Sequence, residues 1–310
     1  MVLSLLVGLV LLLGGGEILV RGAVTTAERL GISPLVIGVT LVGFGTSAPE
    51  LVTSIDAALK DAPGIAIGNV IGSNIANVLL ILAIGALLSP FACSPEAFKR
   101  DGPVIALSAI ACSIVVLSGH IGRLVGSILV LLLIAYLIWV AMTDHQQQET
   151  DSSTLTPVNR PPLIVYITMA LLGLVGIICG ADLLVEGAIE LAGRLGVSEA
   201  LIGLTVVAIG TSLPELATTV VAAIKRQGDI AFGNIIGSCI FNSLGILGTT
   251  AIVTPITVPT DVAAFDIWVM LGATAALILF AVTSWRINRL EGGILLSGYA
   301  GYLGVVSMAL

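Results

Sequence analysis

Long apolar runs separated by short polar breaks fill almost the whole chain. They predict ten helices, at 2–27, 33–60, 65–88, 103–119, 123–142, 163–193, 198–224, 230–253, 264–283 and 289–309. Most of these runs approach or exceed the roughly 20 residues that a bilayer-spanning helix requires. They are continuously apolar and do not alternate with period two, which argues against a membrane barrel. The expectation is an all-α polytopic membrane protein. The first run is interrupted by Gly14-Gly15-Gly16 but continues to Val20 with no basic leader and no cleavage site, and it reads as a retained helix, not a signal peptide. Between the fifth and sixth runs, Asp144, His145, Glu149, Pro157, Pro161 and Pro162 mark a polar linker.

Sliding the sequence against itself by 165 positions, without a gap, aligns 16–90 with 181–255, and 37 of those 75 positions are identical. The chain is an internal duplication. Each copy has five helices, an odd number, so the second copy enters the membrane from the opposite side. The expected organisation is a first five-helix repeat at 1–142, a polar cytoplasmic linker at 143–162 and a second, inverted five-helix repeat at 163–310. Lys60, Arg123 and Arg194 fall on one side of the membrane, and the other nine basic residues on the opposite side. The positive-inside rule then puts both termini outside and the linker in the cytoplasm of a cell inner (plasma) membrane protein.

Composition agrees: 57% of residues are hydrophobic, only 10% are charged, and the mean hydropathy is +1.14, which excludes a soluble domain with a polar shell. The net charge of −7 says little about partners. Cys93, Cys112, Cys179 and Cys239 show no paired spacing and read as small packing residues.

Against this background two segments stand out, Gly45-Thr46-Ser47-Ala48-Pro49-Glu50 and Gly210-Thr211-Ser212-Leu213-Pro214-Glu215. An ionised carboxylate at bilayer depth costs at least about 2.5–3.5 kcal/mol, so a matched pair reads as a functional site. The Gly, Thr, Ser and Pro residues around each predict a broken helix. The first half ends near 45, a second half starts near Pro49 behind a Thr or Ser cap, and Glu50 sits in its first turn. Gly68-Asn69-Val70-Ile71-Gly72-Ser73 leads to Asn77, and Gly233-Asn234-Ile235-Ile236-Gly237-Ser238 to Asn242. The i, i+4 spacing puts Ser73 with Asn77, and Ser238 with Asn242, on one helical face. Their glycines are expected to admit the broken helix of the same half. Asn69 and Asn234 either bond the freed backbone or reach an ion. Asp56, Glu17 and Asp182 are candidates for access or helix-end roles. All these donors are oxygen, no basic residue is near the glutamates, and His120 and His145 lie in loops. The pattern suits hard cations and not zinc or copper.

The two Gly-Thr-Ser-x-Pro-Glu motifs, each followed by Gly-Asn-x-x-Gly-Ser-x-x-x-Asn, resemble the paired alpha repeats of the cation/calcium exchanger superfamily, and most of all its prokaryotic sodium/calcium exchanger type. The resemblance covers essentially the whole chain. It implies a central calcium site made by Glu50, Glu215 and the carbonyls of Thr46 and Thr211, completed by Asn77 and Asn242. It implies flanking sodium sites from Ser47, Ser73 and the Gly43 carbonyl in one half, and from Ser212, Ser238 and the Ala208 carbonyl in the other. Asn242 departs from relatives that carry Asp there, which weakens any case for potassium. Proton-coupled members carry Gly-Asn-x-x-Glu, whereas Gly72 and Gly237 stand at that Glu position here. The implied activity is sodium-for-calcium antiport by alternating access, with helices one and six sliding across the bundle; the alternative is a cation/proton antiporter on the same fold. An intramembrane enzyme would need a nucleophile and base that the chain lacks. No cofactor is implied. The partners are small inorganic cations and the lipid bilayer, with no nucleic acid, and a monomer is compatible with the pattern.

Overall fold

The computed structural model describes residues 2–148, 161–194, 210–258 and 265–309. Helix α1 (Val2–Leu30) leads to a broken pair, α2 (Pro34–Thr46) and α3 (Ala48–Leu59), bent by 41°. Then come α4 (Pro63–Leu88), α5 (Pro95–Leu117) and α6 (Arg123–Gln148). The second half of the chain contributes α7 (Leu163–Arg194), α8 (Leu213–Ile224), α9 (Gly228–Val253), α10 (Asp266–Ser284) and α11 (Arg289–Ala309). The run expected at 198–224 is described only from Gly210 onwards. Among the described residues seven helices are long and apolar enough to cross a bilayer, and the bent α2–α3 pair makes an eighth span. The molecule is an all-α multi-pass membrane protein.

Local chemistry explains the breaks. Ser33 caps α2, its Oγ accepting from the Val36 N–H at 3.3 Å, with Pro34 at the first helical position. Pro49 supplies no N–H to the preceding turn, so α2 stops and α3 starts again with Glu50 in its first turn. Helix α6 runs on to Gln148, past its expected end at 142, so His145 and the first residues of the expected linker are helical. Two further features differ from expectation. Gly14-Gly15-Gly16 do not interrupt α1; of the three, Gly15 serves close packing on α7, where a Cβ would lie 2.8 Å from the Gly173 carbonyl oxygen, and Gly16 packs on Val221 of α8. Gly8 and Gly22 meet α7 in the same way, at Gly180 and Ala170, and bring the two backbones together. Helix α5 starts at Pro95 instead of 103, since its charged first turns are helical too. Asp101 is fully buried there, held by Arg100 Nε at 2.8 Å and the Tyr136 hydroxyl at 3.0 Å.

The centre of the bundle is α9, 94% buried along its apolar window, with α4 at 78%; α7 is only 22% buried and presents most of its surface to lipid. Two short antiparallel ladders tie the halves together. β1 (Phe91–Ala92) pairs with β4 (Arg286–Ile287), and β2 (His120–Ile121) with β3 (Ile256–Thr257).

Candidate functional site

Glu50 and Glu215 occupy the first turns of α3 and α8 and are 1% and 0% exposed. Ser47 and Ser212 stand at the capping positions of these helices, yet neither side chain caps its own helix. Each reaches across instead. Ser47 Oγ donates to Glu215 Oε1 at 2.7 Å, and Ser212 Oγ donates to Glu50 Oε1 at 3.5 Å. The two motifs, far apart in sequence, close into one crosswise pair. The second oxygen of each carboxylate, Oε2, is buried with no hydrogen-bond partner in the protein.

Helices α4 and α9 supply the remaining groups. Ser73, Asn77, Ser238 and Asn242 are all buried, and both amide atoms of Asn77 and of Asn242 lack a partner. Ser238 Oγ donates to the Gly43 carbonyl at 3.1 Å, and Thr46 Oγ1 reaches the same carbonyl at 3.2 Å. Hydrogen bonds therefore link the halves crosswise here, Gly43 with Ser238 and Ser47 with Glu215. Thr211 is half-buried with its hydroxyl unpartnered, and Ala208 lies outside the described residues.

The glycines of α9 also differ from expectation. They admit the broken helix of the other half: a Cβ on Gly233 would meet the Leu35 carbonyl oxygen at 2.6 Å, and one on Gly237 would collide with the Val39 backbone. Asn69 and Asn234 both bond the backbone. Asn69 Nδ2 donates to the Glu50 carbonyl at 3.0 Å and to Ser54 Oγ at 2.9 Å. Asn234 Nδ2 donates to the Glu215 carbonyl at 3.2 Å and to Thr219 Oγ1 at 3.0 Å, and its Oδ1 accepts from Thr46 at 3.1 Å. Ser54 and Thr219 were missed by sequence reasoning, although they occupy aligned positions. Asn74, which donates to Ser243 at 2.9 Å between α4 and α9, carried no such signal. Nor did the widened π turns at Asn77–Leu82 and Phe241–Ile246, which loosen both helices where Asn77 and Asn242 stand.

The nearest charged pairs are peripheral. Asp56 is bound by Lys60 at 2.6 Å on the surface, and Glu17 pairs with Arg21 and Lys225. No described His, Cys, Asp or Glu residues gather in threes as a transition-metal cage would require. Two carboxylates with hydroxyl, amide and carbonyl oxygens around them instead form a donor set for hard cations. A cavity of about 260 Å³, lined by Pro49, Thr53, Asp182, Glu186, Thr211 and Pro214 among others, reaches the starts of α3 and α8 from one side.

The same architecture is found in proteins already described. The family model for "Sodium/calcium exchanger protein" matches residues 1–142 and 165–308. The putative antiporter CaxA of Alkalimonas amylolytica is 39% identical over 96% of this chain and 95% of its own, and the sodium/calcium exchanger MaX1 of Methanosarcina acetivorans is 37% identical over 98% and 97%. Inner membrane protein YrbG of Escherichia coli is 37% identical over 95% and 92%. The structure of the sodium-calcium exchanger NCX_Mj soaked with Na⁺ and Sr²⁺ superposes with a TM-score of 0.85 at 33% identity, covering 100% of this chain and 97% of that one. The exchangers among these relatives are transporters and not enzymes. A match along nearly the whole chain, in sequence and in fold, makes this protein a member of the sodium/calcium exchanger family.

Proposed function

We propose that the chain exchanges sodium for calcium across the membrane by alternating access, without a cofactor, at a site formed by Glu50 and Glu215. Thr46, Thr211, Ser47, Ser212, Ser73, Ser238, Asn77, Asn242 and the carbonyls of Gly43 and Ala208 complete it. One observation carries the reading: two buried carboxylates face each other's serines, each keeps an unpartnered oxygen, and among the described residues no basic side chain pairs with them. Only cations from solution can neutralise them at acceptable cost. One divalent ion matches two carboxylates, and sodium ions at the same and flanking oxygens displace it, so competition for shared ligands couples the two fluxes.

The reading includes ten membrane helices in two inverted five-helix repeats, 1–142 and 163–310, with both termini outside and the 143–162 linker in the cytoplasm. Contacts between connections support the alternation. The segment after α4 pairs with the one between α10 and α11, the segment after α5 pairs with the one after α9, and Arg29 at the end of α1 donates to the Pro161 carbonyl before α7 at 2.7 Å. Each contact joins segments that ten alternating spans put on one face.

Calcium uptake into proteoliposomes tests the function. Uptake driven by internal sodium, and abolished in Glu50→Gln, is the expected result. Uptake driven by a pH gradient in sodium-free buffer would replace this reading with cation/proton antiport on the same site.

A further inference from the structure

The 165-residue offset relates not only the site but also the flanks of the two paths that lead to it, and the two flanks differ. On one side Glu17 of α1 pairs with Lys225 at the end of α8, and Gly16 packs against Val221, where an added Cβ would lie 3.0 Å from its methyl. The aligned positions on the other side are Asp182, Lys60, Ala181 and Asp56. There the contacts are open. Ala181 and Asp182 line the 260 Å³ cavity, facing Pro49 and Thr53 of α3. Helix α7 has no packing against α3 comparable with that of α1 against α8. Lys60 is held by Asp56, one turn before it on α3, and Asp182 has no ion pair among the described residues.

The polar contacts near the site divide in the same way. Thr46 reaches Asn234, whereas the aligned hydroxyl of Thr211 has no partner and lies beside the cavity. Thr53 lines the cavity, while its aligned partner Thr218 is fully buried.

We infer that Asp182 and Lys60 form a second ion-pair latch, which closes the Thr211 side of the site when the Glu17–Lys225 latch opens the other. Each latch ties a long helix of the α1–α7 pair to the end of a half-helix that carries a site glutamate. Because α1 and α7 are packed backbone to backbone through glycines, they move as one body, and making one latch pulls the other apart. The two latches are not equal. Val221 offers Lys225 no competing carboxylate, whereas Asp56 competes with Asp182 for Lys60, which favours the arrangement seen here.

The inference rests on alternating access, and a labelling experiment separates the two. In a Cys179→Ser background with no sodium or calcium present, a small thiol reagent modifies Thr218→Cys in proportion to the population whose opposite path is open. Lys225→Gln is expected to raise the labelling rate about threefold, the effect of one partly exposed ion pair on a two-state balance. Asp182→Asn is expected to lower it by a similar factor, and Asp56→Asn to raise it. The double exchange Asp182→Lys with Lys60→Asp, made in the Asp56→Asn background so that the competing carboxylate is absent throughout, restores the rate of Asp56→Asn alone. Thr53→Cys, already in the cavity, is the reciprocal probe and slows where Thr218→Cys accelerates. Rates unmoved by Lys225→Gln and Asp182→Asn, or moved in the same direction by both, would overturn the latch. If the labelling behaves as expected while the parent protein lacks sodium-driven calcium uptake, the exchange reading fails and the latch stands.

Discussion

Replacing Asn234 by alanine removes a fully buried side chain that makes three hydrogen bonds, to the Glu215 carbonyl, to Thr219 Oγ1 and from Thr46 Oγ1. Buried interhelical hydrogen bonds contribute about 0.6–1.5 kcal/mol each, the lower figure from membrane proteins, so the expected loss is about 2–4 kcal/mol. The aligned Asn69 makes two such bonds and is only partly buried, so Asn69→Ala should cost about 1–3 kcal/mol. At about 2–4 °C per kcal/mol, the Asn234 variant should unfold roughly 4–16 °C below the parent in a detergent thermal scan, and below the Asn69 variant. Calcium affinity, measured by titration well below the unfolding temperature, should fall only modestly, since the amide orients the Glu215 backbone and does not itself hold the ion. A variant that keeps its thermal midpoint but loses calcium binding would refute the reasoning and make Asn234 a ligand.

Other expectations follow from the same geometry. Glu215→Gln should abolish calcium binding without lowering the thermal midpoint, because it removes a charge that no basic side chain near it balances; titration calorimetry and a thermal scan check both halves of that statement. Gly173→Ala puts a Cβ into the Leu19 backbone of α1 and should cost at least about 1–3 kcal/mol while also slowing flux, read by thermal shift and calcium uptake. Burial pushes the Cys93 thiol in the connection after α4 up to about 12, which penalises the reactive thiolate. A thiolate-directed reagent at pH 8 should therefore leave Cys93 unmodified, with labelling rising only as pH approaches 12 or the protein unfolds; peptide mapping by mass spectrometry reads this.

The break at Pro49 and the placement of Glu50 in a first turn were legible because proline and an intramembrane carboxylate each carry a large, local and specific cost. The match of Asn69 with Asn234 was legible from the offset, but their targets were not: the choice between backbone and ion depends on a few tenths of a nanometre that spacing does not encode. The crosswise pairing of Ser47 with Glu215, and of Gly43 with Ser238, was hidden for a different reason. An internal repeat says that two segments are alike, not which copy packs on which, and the glycines of α9 pack on the other half's α2. Glycine itself misled at Gly14-Gly15-Gly16. As a helix breaker it predicted an interruption, yet at Gly15, between two membrane helices, the missing side chain is what lets the backbones meet. The early start of α5 was masked by its own charges, because hydropathy cannot see that Asp101 is paired with Arg100 and Tyr136.

Where the halves agree, they build the site; where they disagree, they determine its balance. An inverted duplication with identical halves would have two equivalent arrangements of equal energy, each closed on one face. Such a chain would have no resting preference. The substitutions that separate the halves here fall on the path flanks as well as near the two glutamates. Gly16 admits Val221 where Ala181 lines a cavity, and Asp56 holds Lys60 where Val221 leaves Lys225 to Glu17. An ion pair at the surface is worth no more than about 1 kcal/mol, which shifts a two-state population by about fivefold without trapping it. Ion binding at the site proposed around Glu50 and Glu215 would then need only modest differential affinity to move the balance, and for that reason a few uneven surface pairs can set the resting side of a transporter whose two halves are nearly symmetric.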